Sequence, residues 1–204
     1  MFAEVPPFPL NSSTLEVLKG GNERQRAAYR CVNSRRFLSI LSDFRGVLAS
    51  TIALGIDTPN SDLDFLCETS DLEIFSSFVN QNFGTLDRFQ SVPTPTPRVS
   101  RCFSFWCDGF EIEIFGSLER LESQLGFRHH VAIARLIKLG GNPFRTKLRN
   151  LKLQGVKTEP AIAQLLSLSG NPYESVASLT EVEDEVISRL MSSQQRTDAL
   201  KSGK

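Results

Sequence analysis

Ser50-Thr51-Ile52-Ala53-Leu54-Gly55-Ile56-Asp57-Thr58-Pro59-Asn60-Ser61-Asp62-Leu63-Asp64-Phe65 links two apolar runs through two turns. The apolar run Val47-Leu48-Ala49 precedes it, and Phe65-Leu66-Cys67 continues it. Between the two runs lie a small-residue turn at Ser50-Thr51 and a polar turn at Thr58-Pro59-Asn60-Ser61. The pattern predicts a central strand, a tight turn with a short helix, and a second strand. Unpaired amides and two hydroxyls at Ser50-Thr51 make that turn a candidate phosphate cradle, with a plain helix cap as the alternative. Gly55 suits a positive backbone angle or a close approach.

Asp62 and Asp64 are two residues apart, so on a strand they face the same side. Carboxylates this close repel one another unless a cation or protons intervene. Mg²⁺ or Mn²⁺, which prefer hard oxygen ligands, would satisfy them. A second strand, Phe110 to Phe115, offers Glu111 and Glu113 with the same alternation, while Ile112 and Ile114 point the other way. Either glutamate supplies the third carboxylate of such a site.

Working outward, residues 1–13 carry Pro6, Pro7 and Pro9 and read as an irregular arm. Ser13 or Thr14 caps a short helix, Leu15 to Lys19, ended by Gly20-Gly21. A longer helix runs from Asn22 to about Asp43, and its arginines, Arg24, Arg26, Arg30, Arg35 and Arg36, read as a solvated face. Ser70 or Asp71 caps a helix over 71–82. Leu86 to Val92 is a candidate strand. The prolines at 93, 95 and 97 make a loop, and Asp108-Gly109 joins Val99–Trp106 to Phe110–Phe115 as a hairpin. From Leu118 the pattern is helical, with helices over Arg128 to Leu139 (stopped by Gly140-Gly141), Lys147 to Leu153, Pro160 to Leu168, and from Thr180 to about Met191. The fold class is therefore mixed α/β with a C-terminal helical part.

The chain has 204 residues, 40% of them apolar, and its 23 basic and 23 acidic side chains cancel. Nothing global favours nucleic acid or an anionic membrane. Cys31, Cys67, Cys102 and Cys107 form no close C-x-x-C pair. No stretch approaches the roughly 20 apolar residues of a membrane span. Met1 to Leu10 lacks the long apolar run of a secretory signal. The expectation is a cytoplasmic protein with free thiols. His129 and His130 lack nearby ligand partners and read as packing residues, and Trp106 reads as sheet packing.

Ser50 to Phe65 resembles the pattern G-S-x-x-x-G-x-x-x-x-x-S-D-h-D-h (h, apolar) of minimal nucleotidyltransferases of the DNA polymerase beta superfamily. It fits without a gap: Thr51 stands at the serine, Gly55 at the second glycine and Ser61-Asp62-Leu63-Asp64-Phe65 at the end. More closely, the chain resembles an uncharacterised bacterial domain-of-unknown-function family within that superfamily. The matching landmarks are Gly21-Asn22-Glu23-Arg24-Gln25, the central stretch, Phe110 to Gly116, and Leu153 to Ala161. The resemblance implies a mixed sheet flanked by helices. It implies that Asp62, Asp64 and Glu113 hold divalent metal and that Ser50, Thr51, Gly55 and Ser61 lie at the nucleotide. The implied reaction transfers a nucleoside monophosphate from an NTP to an unidentified acceptor, a small molecule, protein or RNA, and releases pyrophosphate. Residues 14–118 would form this domain, 119–192 a helical part packed on it, and 193–204 a disordered tail.

Ser50 replaces the first glycine of the pattern, and Ile52 and Leu54 stand where basic residues are frequent. Positive charge for a triphosphate must then come from Arg128, Arg135, Lys138, Lys147, Arg149, Lys152 or Lys157, of which Lys157, inside a matched landmark, is preferred. The alternative is a catalytically silent module of the same fold that binds a protein or RNA partner.

Overall fold

The computed structural model describes the backbone of residues 10–202 and the side chains of residues 12–193. Two compact units emerge, one of residues 10–53 and 59–127, the other of residues 54–58 and 128–202.

The first unit carries the sheet. Among the described residues five strands form one mixed sheet in the order β1-β2-β5-β4-β3. They are β1 (Val47–Leu48), β2 (Leu63–Glu68), β3 (Asp87–Val92), β4 (Ser100–Cys107) and β5 (Phe110–Ser117). Only β2 and β5 run parallel; every other neighbouring pair is antiparallel. The β4–β5 hairpin turns at Asp108 (φ 49°) and Gly109 (φ 85°), the two positive angles a tight two-residue turn demands. β1 is at the sheet edge, not in its centre as its apolar run suggested. The run is buried nonetheless, because α1 (Leu10–Gly20) packs beside it.

Helix α1 begins at Leu10, earlier than expected, so residues 10–13 are helical and the rest of the expected arm lies outside the described residues. The next helix is shorter than its apolar pattern implied. α2 (Glu23–Ser34) ends before Arg36, whose left-handed backbone (φ 56°) separates it from α3 (Phe37–Ile40). The reason is Phe37. A continuous helix would carry it toward the arginine face, whereas the break turns it into the core beside Phe65 and Phe83, with ring centroids 5.2 and 5.6 Å away. α4 (Leu72–Phe83) is capped by Asp71, whose carboxylate accepts from the amides of Glu73 and Ile74. One sheet face, with Phe65, Phe103, Phe105, Ile112 and Ile114, meets these helices in a phenylalanine-rich core.

The second unit is helical. α5 (Leu125–Leu153) is two segments meeting at Gly141, whose φ of 58° and ψ of −156° no helix contains, and Pro143 follows at the restart. α6 (Thr158–Leu166), α7 (Pro172–Ser178) and α8 (Asp184–Ser202) complete it. α8 starts after Thr180, and its helical backbone continues through the segment expected to fray, as far as Ser202. Ile56, from the 54–58 segment, is fully buried in this unit's core. No helix among the described residues is long and apolar enough to cross a membrane.

Gly116 on β5 is where α4 comes closest to the sheet. A Cβ there would sit 2.2 Å from the Phe75 ring. Gly116→Ala is expected to lower the stability measured by urea denaturation by about 1–3 kcal/mol, the usual penalty of overpacking, and trimming Phe75 to Leu in the same chain should recover part of it.

Candidate functional site

The parallel register of β2 and β5 places Asp64 directly beside Glu113, flanked by the pairs Leu63–Ile112 and Phe65–Ile114. Both carboxylates emerge from the face opposite the aromatic core, because their neighbours Leu63, Phe65, Ile112 and Ile114 are fully buried. Asp62 comes one residue before β2. Among the described residues, Asp62, Asp64 and Glu113 each offer an oxygen within 4.8 Å of the others. Glu111 is outside that group, although its charge acts on Asp64 and Glu113.

The backbone carrying the aspartates is fastened from β1. The Ala49 amide donates to the Asp64 carbonyl at 2.8 Å, and the Ser50 hydroxyl donates to the Asp62 carbonyl at 2.8 Å. Ser50 Oγ also accepts from the Ile52 amide at 3.2 Å and is fully buried. Its hydroxyl is therefore engaged on both sides, as donor to the Asp62 carbonyl and acceptor from the Ile52 amide. Residues 51–55 form a turn and no regular helix, so no helix N-terminus faces the site from here. Thr51 is half-buried and donates from Oγ1 to Ser61 Oγ at 3.2 Å, joining the two turns. Gly55 has the positive φ expected of it, 68°, and belongs with the helical unit.

Burial pushes the Asp64 carboxyl well above the usual carboxylate range, and the charges of Asp62 and Glu113 push it further. Glu113 is raised by burial and then by Asp62 and Glu111. Three carboxyls so placed either share protons or take up a cation. An all-oxygen donor set of this kind fits Mg²⁺ or Mn²⁺ and not a thiophilic metal. The only other group of potential ligands among the described residues is Cys31, Cys107 and Asp108. There Arg35 already holds Asp108, at 3.1 Å, and burial pushes the Cys31 thiol far up, against the thiolate a metal needs.

Several expected cations are committed elsewhere. Arg135 donates to the carbonyls of Leu179, Thr180 and Val182 and to Asp184. Arg128 holds Ala177 and Glu181, and Arg149 donates to the Asp57 carbonyl at 3.0 Å. Lys157 is the N-cap residue of α6 in the helical unit, with an exposed side chain. His129 uses both ring nitrogens within that unit, on Tyr173 and Glu159, and burial pushes His130 down to about 4. Arg24 was missed as part of a solvated face. It is half-buried over the Phe110 ring and donates to the carbonyls of Pro59 and Ser61 at 3.0 and 2.9 Å. The arginine-only periodicity of α2 held no signal for this.

The family described as Domain of unknown function (DUF4269) matches residues 30–179. The chain belongs to this family. The DUF4269 match includes the whole of Ser50 to Phe65, Glu113 and Lys157, and begins after Arg24. No curated protein matches the chain, and no solved structure does.

In the metal-free protein the raised carboxyls remove stability as they ionise. For Asp64 the loss starts near its ordinary value of 3.8 and grows as pH rises through the higher folded-state value. Asp64→Asn removes this loss. Its melting temperature relative to the parent should therefore climb as pH rises above about 4 and lie above the parent once Asp64 is ionised in the folded chain. A constant difference across that range contradicts the charge crowding described here.

Proposed function

We propose that the protein is a metal-dependent nucleotidyltransferase that moves a nucleoside monophosphate from an NTP to an acceptor and releases pyrophosphate. The observation that carries this reading is the convergence of Asp62, Asp64 and Glu113, from two parallel strands, on one small volume next to the turn that joins β1 to β2. The placement of the chain in the nucleotidyltransferase superfamily belongs to the same reading and rests on the Ser50–Phe65 pattern.

Asp62, Asp64 and Glu113 would hold Mg²⁺ or Mn²⁺, which supplies the positive charge that a triphosphate and a developing alkoxide require. Thr51 and Ser61, bonded to each other at the junction of the two turns, would meet the phosphates, while Ser50 holds the Asp62 backbone in place. Glu113, beside the ion, would help to activate the acceptor hydroxyl, which gives up its proton as it attacks. The acceptor oxygen bonds to the α-phosphorus, the bridging oxygen between the α- and β-phosphorus leaves with pyrophosphate, and no covalent protein intermediate is needed.

One observation favours the silent-module alternative. Ile52 is fully buried where a basic residue would help, and Ser50 is committed to the backbone, so the turn presents no side-chain cation. Incubation with each labelled NTP and Mn²⁺, in the presence of cell extract as the source of acceptor, separates the two. Pyrophosphate release that disappears in Asp62→Ala/Asp64→Ala supports the enzyme, and no release from any NTP supports the module. Independently, saturating NTP with Mn²⁺ should raise the parent's melting temperature by about 5 °C or more. The double variant should show no shift, and a shift that survives in it contradicts the site.

A further inference from the structure

The landmark Gly21-Asn22-Glu23-Arg24-Gln25 has no role in the chemistry above, yet its side chains reach both turns that flank the aspartates. Asn22 caps α2, accepting from the Gln25 amide at 2.9 Å, and Gln25 Oε1 accepts from the Asn22 amide at 2.9 Å. With its oxygen held by the cap, the Gln25 carboxamide turns its NH₂ group toward the first turn, where it donates to the carbonyls of Ile52 at 2.9 Å and Ala53 at 3.5 Å. Gly21 makes this fold-back feasible, since a Cβ there would fall 2.1 Å from Gln25 Oε1. One residue earlier, Arg24 crosses Phe110 and reaches the second turn, donating from Nη2 to the carbonyls of Pro59 and Ser61. Asp62 follows Ser61 directly.

We infer that the N-terminal turn of α2 is the positioning element of the carboxylate site: Gln25 sets the turn after β1, Arg24 sets the turn before β2, and together they fix where Asp62 stands relative to Asp64 and Glu113. This deepens the nucleotidyltransferase reading and rests on it for the metal. The physical basis is that a ligand carboxylate is only as well placed as the backbone beneath it, and a turn without regular structure needs outside donors to hold its carbonyls. Arg24 and Gln25 touch no reacting atom in this account; they act through Asp62 and through the turn bearing Ser50 and Thr51.

Three variants test it. Arg24→Met keeps an apolar stem over Phe110 and removes both donors. Gln25→Glu keeps the oxygen that the cap uses and replaces the donating NH₂ with an acceptor. Arg35→Met, at the C-cap just past the far end of the same helix, is the control. Amide hydrogen exchange should accelerate over residues 60–62 in Arg24→Met and over 51–54 in Gln25→Glu, with Arg35→Met unchanged in both. Mn²⁺ affinity, measured by electron paramagnetic resonance, should fall about tenfold in Arg24→Met, the lower end of the usual effect of residues behind a metal ligand. Arg24→Lys, which restores one donor, should recover part of it. The inference is overturned if exchange in both turns matches the parent, or if exchange rises while Mn²⁺ affinity does not change. Absence of Asp62-dependent Mn²⁺ binding in the parent itself overturns the nucleotidyltransferase reading and the metal half of this one, and the exchange measurement still decides whether α2 holds the turns.

Discussion

Parallel pairing of β2 with β5 is the constraint on which the site depends. In that register Asp64 pairs directly with Glu113, and the apolar residues on either side of both are locked into the core. The two strands cannot move apart without withdrawing Leu63, Phe65, Ile112 or Ile114 from the aromatic cluster. The repulsion between the two carboxylates is thus sustained by hydrophobic burial on the reverse face of the same strands. Protons relieve such crowding, and on the proposed reading a divalent cation would do so as well.

The remaining architecture holds that arrangement against its own repulsion. β1 contributes little as a strand, with two residues, but it brings the Ala49 amide and the Ser50 hydroxyl to the carbonyls of Asp64 and Asp62. α2 holds the outer turns through Arg24 and Gln25. Backbone carbonyls with fixed donors keep carboxylates within reach of each other that would otherwise separate.

Much of this was legible in the sequence wherever local chemistry decides. Asp108-Gly109 announced its turn, Ser70-Asp71 a cap that the structure assigns to Asp71, and the alternation of Glu111, Ile112, Glu113 and Ile114 the two faces of β5. The Asp-x-Asp spacing marked Asp62 and Asp64 before any strand was placed. What stayed hidden depends on contacts distant in the chain. The apolar run of β1 reads as a central strand although it is shielded at the edge by α1. The break at Arg36 follows from where Phe37 must go, not from any helix breaker. Ser50 carries the same hydroxyl whether it faces phosphate or the Asp62 carbonyl, and only the closed turn distinguishes them. Arg24 looks like its neighbours along α2 until the turn at Pro59–Ser61 is set against it.

Anomalous scattering from a crystal of the protein soaked in Mn²⁺ with a non-hydrolysable NTP locates the ion, if these carboxylates hold one. A manganese peak is expected among the carboxylates of Asp62, Asp64 and Glu113, with the triphosphate beside the turn of Thr51 and Ser61. A crystal that binds manganese only at other carboxylates, or binds none, would contradict it.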